Sequence, residues 1–339
     1  LNDLTKKIGL IGNGSWGTAL AKLLTENKHE VHWWIRNQST VQYIKDHHQN
    51  PNYLQSVKFN SDLIKPTTDL NSIFEECEII IFCVPAAYAE DILAQFSTLL
   101  LKDKIIVSAI KGILPFCNQL LNDYLNTQFQ FPHENYVAIS GPCHAEEVAQ
   151  DRLSYLTFSS IKLEIASKIA LLFEGEKLRT ICNHDLWGTQ LAAVLKNVYA
   201  LGAGIANALD YGDNFMSVYI TNCFKEMHHF LEYHFDLVHP SNIKPDYSTS
   251  AYLGDLLVTG YSLHSRNRRF GMMIGKGYTV EATILEMNMV AEGYYASKCM
   301  KQLSKDFNYS MPIAEAIFSI LWENKKSLSV FENLENSFS

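Results

Sequence analysis

The chain has 339 residues, enough for two hydrophobic cores of ordinary size, and its composition, 47% hydrophobic and 19% charged, is that of a globular protein. Thirty-six acidic against 28 basic residues give a net charge of -8, which argues against a general binder of nucleic acid or anionic membrane but leaves room for a local basic pocket. Seven scattered cysteines without a CxxC pair suggest neither a disulfide framework nor a zinc knuckle, and the opening LNDLTKKIGLIGNG lacks a separate apolar signal segment, so a soluble cytoplasmic protein is expected.

The first informative stretch is KKIGLIGNGSWGTALAKLLTENKHEVHWWIRN. A short apolar run leads through Gly12, Gly14 and Gly17 into an amphipathic stretch from Trp16 to Glu26, and a second apolar run follows from Val31 to Ile35. Strand, glycine turn, helix and strand are the context in which GxGxxG reads as a dinucleotide-binding turn. Gly12 permits the tight turn, Gly14 lets the backbone approach a pyrophosphate, and Gly17 lets helix and strand pack closely. The free N–H groups and positive dipole end of the helix suit the phosphates. At the end of the second strand, where an acidic residue would hold the ribose hydroxyls of NAD, the chain has Arg36-Asn37, so NADP is favoured over NAD.

Further βα units follow in CEIIIFCVPAAYAEDILAQF, KDKIIVSAIKGI and NYVAISGPCHAEEVAQ. Their continuous apolar runs fit a parallel sheet covered on both faces. Ligands of such sheets bind beyond the C-terminal strand ends, which singles out Lys111 among the lysines, although a solvated loop lysine fits the pattern equally well. After about residue 188 the alternation stops and the apolar runs lengthen. The expectation is a Rossmann-like α/β domain over 1–188 and a mainly α-helical domain over 189–339. The run from Leu186 to Leu209 contains one charged side chain, Lys196, which as part of a helix shares a face with Ala192, Ala193, Ala200 and Ala203. Periodicity leaves two readings open, a stem that snorkels to water or a desolvated lysine suited to proton transfer. Farther on, Asp255 sits in an apolar stretch, and Arg266, Asn267, Arg268 and Arg269 form a compact basic cluster able to clamp a phosphate or carboxylate.

Taken together, GxGxWGTALA, SAxKGI, SGPxxAxEVA, LKNVxAxGAG, GDLxxT, SRNRRFG and VAEG resemble, in order and approximate spacing, bacterial NAD(P)-dependent glycerol-3-phosphate dehydrogenase over residues 7 to about 320. The resemblance implies a Rossmann-like N-terminal domain, a helical C-terminal domain and interconversion of dihydroxyacetone phosphate and sn-glycerol 3-phosphate, feeding phospholipid synthesis. It implies that Lys196 exchanges the proton, that Lys111 faces both nicotinamide and substrate, and that Asp255 and Thr259 sit beside Lys196. Ser265, Arg266 and Asn267 would hold the phosphate, and Gly141 and Cys143 would line the substrate pocket. Ser15, Trp16, Arg36, Ala145, Val290 and Glu292 would contact the cofactor, with Lys111 and Arg266 reaching it from the substrate side.

Three features depart from that pattern. Cys143-His144 replaces the usual hydroxyl–aromatic pair, a glycine often found shortly before the lysine is missing, and residues 224–249, rich in histidine and aromatics, do not resemble the family segment. In that segment His228 and Glu232, or His229 and Tyr233, are one helical turn apart, but no HExxH signature completes a metal site and none is expected. The partner expected is a small phosphorylated substrate, with neither nucleic acid nor stable membrane insertion, and a homodimer is an open option. The rival readings are another two-domain hydroxyacid dehydrogenase, of ketopantoate reductase or hydroxyacyl-CoA type, and a non-catalytic NADP-binding sensor.

Overall fold

Apolar runs of four to six residues are too short for stable helices and long enough for strands buried on both faces. In the computed structural model, which describes residues 7–95, 101–238, 244–287 and 291–338, they form one sheet. Its strands are β1 (Ile8–Ile11), β2 (Val31–Trp34), β3 (Ile64–Thr67), β4 (Ile79–Phe82), β5 (Ile105–Ser108), β6 (Tyr136–Ser140), β7 (Ser154–Ser159) and β8 (Leu178–Asn183). Their spatial order is β3-β2-β1-β4-β5-β6-β7-β8. All neighbours are parallel except β6 and β7, so the last two strands run opposite to the rest. The central strands β1, β4 and β6 are buried along their whole length. The helices that accompany the sheet are α1 (Ser15–Glu26), α2 (Gln38–His47), α3 (Leu70–Glu76), α4 (Ala86–Leu93), α5 (Leu121–Phe129), α6 (Ala145–Ala149) and α7 (Leu163–Leu171).

The rest of the chain is helical: α8 (Leu186–Ala208), α9 (Asp213–Val238), α10 (Asp255–Tyr261), α11 (Arg266–Gly275), α12 (Val280–Met287), α13 (Glu292–Asp306), α14 (Pro312–Trp322) and α15 (Ser327–Glu335). By length and composition α8 could cross a membrane, but 89% of its apolar window is buried inside the protein, as in a core helix. Ala192, Ala193, Ala200 and Ala203, on the face shared with Lys196, are all buried. Small residues also let α8 and α11 touch backbone to backbone. A Cβ on Gly204 would strike the Arg268 carbonyl and the Met272 nitrogen, and one on Gly271 would strike the Leu201 carbonyl. Tyr199, one turn after Lys196, donates to the enclosed carboxylate of Glu226 on α9 (3.0 Å), which also accepts the first free N–H groups of α14 from Ile313 (2.7 Å) and Ala314 (3.0 Å). That carboxylate caps one helix and ties down another.

The chain separates into two compact units, and the division is not a single cut. Leu1–Ile110 with Gln119–Leu186 form the first, and Lys111–Asn118 with Trp187–Ser339 form the second.

Candidate active site

In the first unit the glycine turn has the shape a pyrophosphate needs. Gly12 has φ +108°, in the region that favours glycine, and a Cβ there would meet the Cys83 carbonyl. A Cβ on Gly17 would meet the Gly12 carbonyl, so helix and turn pack as closely as the sequence implies, whereas nothing lies within 4 Å of the Cβ position of Gly14. Gly14 is also the N-cap of α1 and provides no side-chain acceptor for the first-turn N–H groups. The loop is braced from below by Asn50, fully buried, whose amide donates to the Asn13 carbonyl and Thr18 Oγ1, both at 2.9 Å. An open floor at Gly14, a helix N-terminus without a side-chain cap and a braced turn fit a dinucleotide phosphate. Ser15 is buried and Trp16 half-buried at the start of α1, while Arg36 is exposed just past β2, followed by Asn37, which caps α2 through Ser39 N–H (2.9 Å). Gly141, at φ +114°, turns the chain after β6, and Cys143 and Ala145 are buried at the entry to α6.

The second unit collects a different set. Lys196, in mid-α8, and Asp255, the first residue of α10, form a buried ion pair through Nζ and Oδ1, with side chains 5% and 1% exposed. Asp255 Oδ2 has no hydrogen-bond partner among the described residues, which leaves it available to a donor. Desolvation and the neighbouring Lys111 push the Lys196 ammonium down and Asp255 pulls it up, and the net effect lowers it to about 7. Lys111 is therefore beside Lys196 although 85 positions away in the chain. Thr259, one turn beyond Asp255, spends its hydroxyl on the Asp255 carbonyl (2.6 Å).

An amide relay connects the backbone of Lys111 to the starts of α11 and α13. Gly293 N–H donates to Asn267 Oδ1 (2.9 Å), Asn267 Nδ2 donates to Asn197 Oδ1 (3.0 Å), and Asn197 Nδ2 donates to the Lys111 carbonyl (3.1 Å). The backbone N–H at one end and the carbonyl at the other fix the orientation of both amides. Asn197 is the residue sequence reasoning passed over. It stands next to Lys196, but its partner is remote in sequence, and only the fold brings the two together. Ser265 caps α11, accepting Arg268 N–H at 3.3 Å, with Arg266 half-buried immediately after it and Asn267 buried. Glu292 opens α13, half-buried, beside the Gly293 N–H of the relay. Val290 lies outside the described residues.

Residues 7–166 match the family profile described as NAD-dependent glycerol-3-phosphate dehydrogenase N-terminus, and residues 185–332 match the corresponding C-terminus. The chain belongs to the NAD-dependent glycerol-3-phosphate dehydrogenase family. Relatives named glycerol-3-phosphate dehydrogenase [NAD(P)+] include those of Bacillus pumilus, 37% identical over 97% of this chain and 94% of the relative, and Bacillus subtilis, 36% identical over the same shares. The crystal structure of glycerol-3-phosphate dehydrogenase from Coxiella burnetii superposes with a TM-score of 0.88 at 25% identity, covering 97% of this chain and 98% of the other. These likenesses support the glycerol-3-phosphate dehydrogenase reading and not the hydroxyacid-dehydrogenase or sensor alternatives. Among the described residues no group of three His, Cys, Asp or Glu side chains could hold a metal ion.

Proposed function

We propose that this chain is an NAD(P)-dependent sn-glycerol-3-phosphate dehydrogenase, interconverting dihydroxyacetone phosphate and sn-glycerol 3-phosphate in the cytoplasm for phospholipid synthesis. The observation that carries the reading is the buried Lys196–Asp255 pair, faced by Lys111, whose backbone carbonyl is linked by amides to the capped start of α11. When bound, the reduced nicotinamide supplies hydride to the ketone carbon. Lys196 donates a proton from Nζ to the oxygen that becomes the hydroxyl, and takes one back in the oxidising direction. Lys111 polarises that oxygen, and Asp255 keeps the Lys196 ammonium from losing its proton too early. The start of α11, the Arg266 guanidinium and the second amide hydrogen of Asn267 receive the phosphate and convert its binding energy into positioning of the carbonyl. We assign the dinucleotide phosphates to the turn from Gly12 to Gly17, and the 2'-phosphate of NADP to Arg36, whose exposed guanidinium lies where an acidic residue would repel it.

NADPH oxidation is to be followed with dihydroxyacetone phosphate and with unphosphorylated dihydroxyacetone, on wild type and Arg266→Ala. Wild type should strongly prefer the phosphate ester, and the variant should lose about 3 kcal/mol of kcat/KM on that substrate alone. Equal use of both substrates by wild type refutes the phosphate clamp, and no turnover of either refutes the activity.

A further inference from the structure

Asp255 is delivered to Lys196 by an unusual piece of backbone. The residues before it, Ser250–Gly254, form a π-helical turn, with Gly254 N–H reaching back five positions to the Thr249 carbonyl (3.4 Å). A π turn holds one residue more than an α turn and is rare in isolation, so neighbours must hold it. Relaxation to α geometry would rotate α10 by about 100°, the angle per residue of an α-helix, and carry the Asp255 carboxylate away from Lys196.

The neighbours come from the histidine-aromatic segment that departs from the family pattern. Tyr252, inside the π turn and 1% exposed, meets Tyr247 edge to face, with ring centroids 5.1 Å apart at 89°. Tyr247 in turn meets His228 of α9 edge-on at 5.3 Å, and Phe224 stacks on the same imidazole from one turn earlier at 5.8 Å. The Tyr247 hydroxyl donates to the Leu231 carbonyl of α9 (3.3 Å). Residues 224, 228 and 231 lie on one helical face, so α9 provides a firm wall, Tyr247 is the wedge, and Tyr252 is the ring on which the wedge presses.

We infer that Tyr247 is a positioning residue for proton transfer, its ring held between His228 and Tyr252 so that the π turn keeps Asp255 in register with Lys196. This rests on Lys196 being the proton donor of the proposed reaction. Tyr247→Leu should lower kcat at least about tenfold, as expected when a catalytic group is misplaced by a fraction of its reach. Its KM for dihydroxyacetone phosphate should stay within about threefold, because α11 is untouched. Amide hydrogen exchange should quicken over 250–256 and not over 266–275, and Tyr247→Phe, which keeps the ring, should restore wild-type kcat. A folded Tyr247→Leu with wild-type kcat or unchanged exchange overturns the inference, as does a Tyr247→Phe as impaired as Tyr247→Leu. If Tyr247→Leu does not fold, His228→Leu decides: a lower kcat at constant KM with faster exchange over 250–256 supports the wedge, and wild-type values overturn it. A wild type inactive on dihydroxyacetone phosphate would mean that the proposed function has failed, while the exchange pattern would still judge the wedge.

Discussion

A lysine enclosed among alanines is costly to keep charged, and the three influences on Lys196 act in known directions: burial and Lys111 lower its proton affinity, Asp255 raises it. Because the proposed proton donor is the ammonium form, kcat/KM for ketone reduction should be level below pH 7 and fall as pH rises through about 7, where burial, Lys111 and Asp255 together leave Lys196. In Asp255→Asn the supporting charge is gone, so the fall should begin at lower pH. Lys196→Arg keeps a cation that does not release its proton and should abolish turnover while NADPH still binds. A pH profile unmoved in Asp255→Asn, or near-normal turnover in Lys196→Arg, would remove Lys196 from the chemistry. Lys196, Asp255 and Lys111 stood out in the sequence as ionisable residues within an apolar run or beyond a strand end, but the pattern left their roles open, and only the family resemblance put them together. Asn197 was not, since a buried amide becomes notable only once its partners are known, here Lys111 and Asn267.

The secondary elements were readable wherever burial was uniform. Runs such as IIIF and YVAIS declared β4 and β6, and the long apolar run declared α8. The edge strand β3, sequence IKPT, alternates buried and exposed residues around Pro66 and gives no such signal, and no local property records that β7 reverses direction. Glycines divide in a way that only structure reveals. Gly204 meets backbone from α11, which cannot move aside as a side-chain tip would, so Gly204→Ala should cost about 2–4 kcal/mol of stability by forcing two helices apart. Gly14 faces open space, so Gly14→Ala should leave the thermal midpoint near wild type and weaken NADPH binding instead. Chemical denaturation and cofactor titration of both variants separate the two roles; a stable Gly204→Ala, or a Gly14→Ala that binds NADPH normally, contradicts the assignment.

At the scale of the molecule, cofactor recognition should be visible as stability, because a ligand that binds only the folded chain raises its unfolding free energy by about 2.7 kcal/mol at one hundred times its dissociation constant. NADPH should raise the thermal midpoint of wild type at least as much as NADH at equal concentration. Arg36→Glu should reverse that order, and an order unchanged by the substitution would show that Arg36 does not read the 2'-phosphate. The short excursion Lys111–Asn118 has a different consequence. It places one lysine of the proposed reacting set with the helical unit although the chain around it builds the sheet. A gene fusion joined near residue 188 would therefore pair a helical half with another sequence's Lys111 segment, and the Asn197 amide would meet a foreign backbone carbonyl. A single crossover near residue 188 would therefore exchange part of the proposed active site along with the sheet, so the two halves are not independent modules.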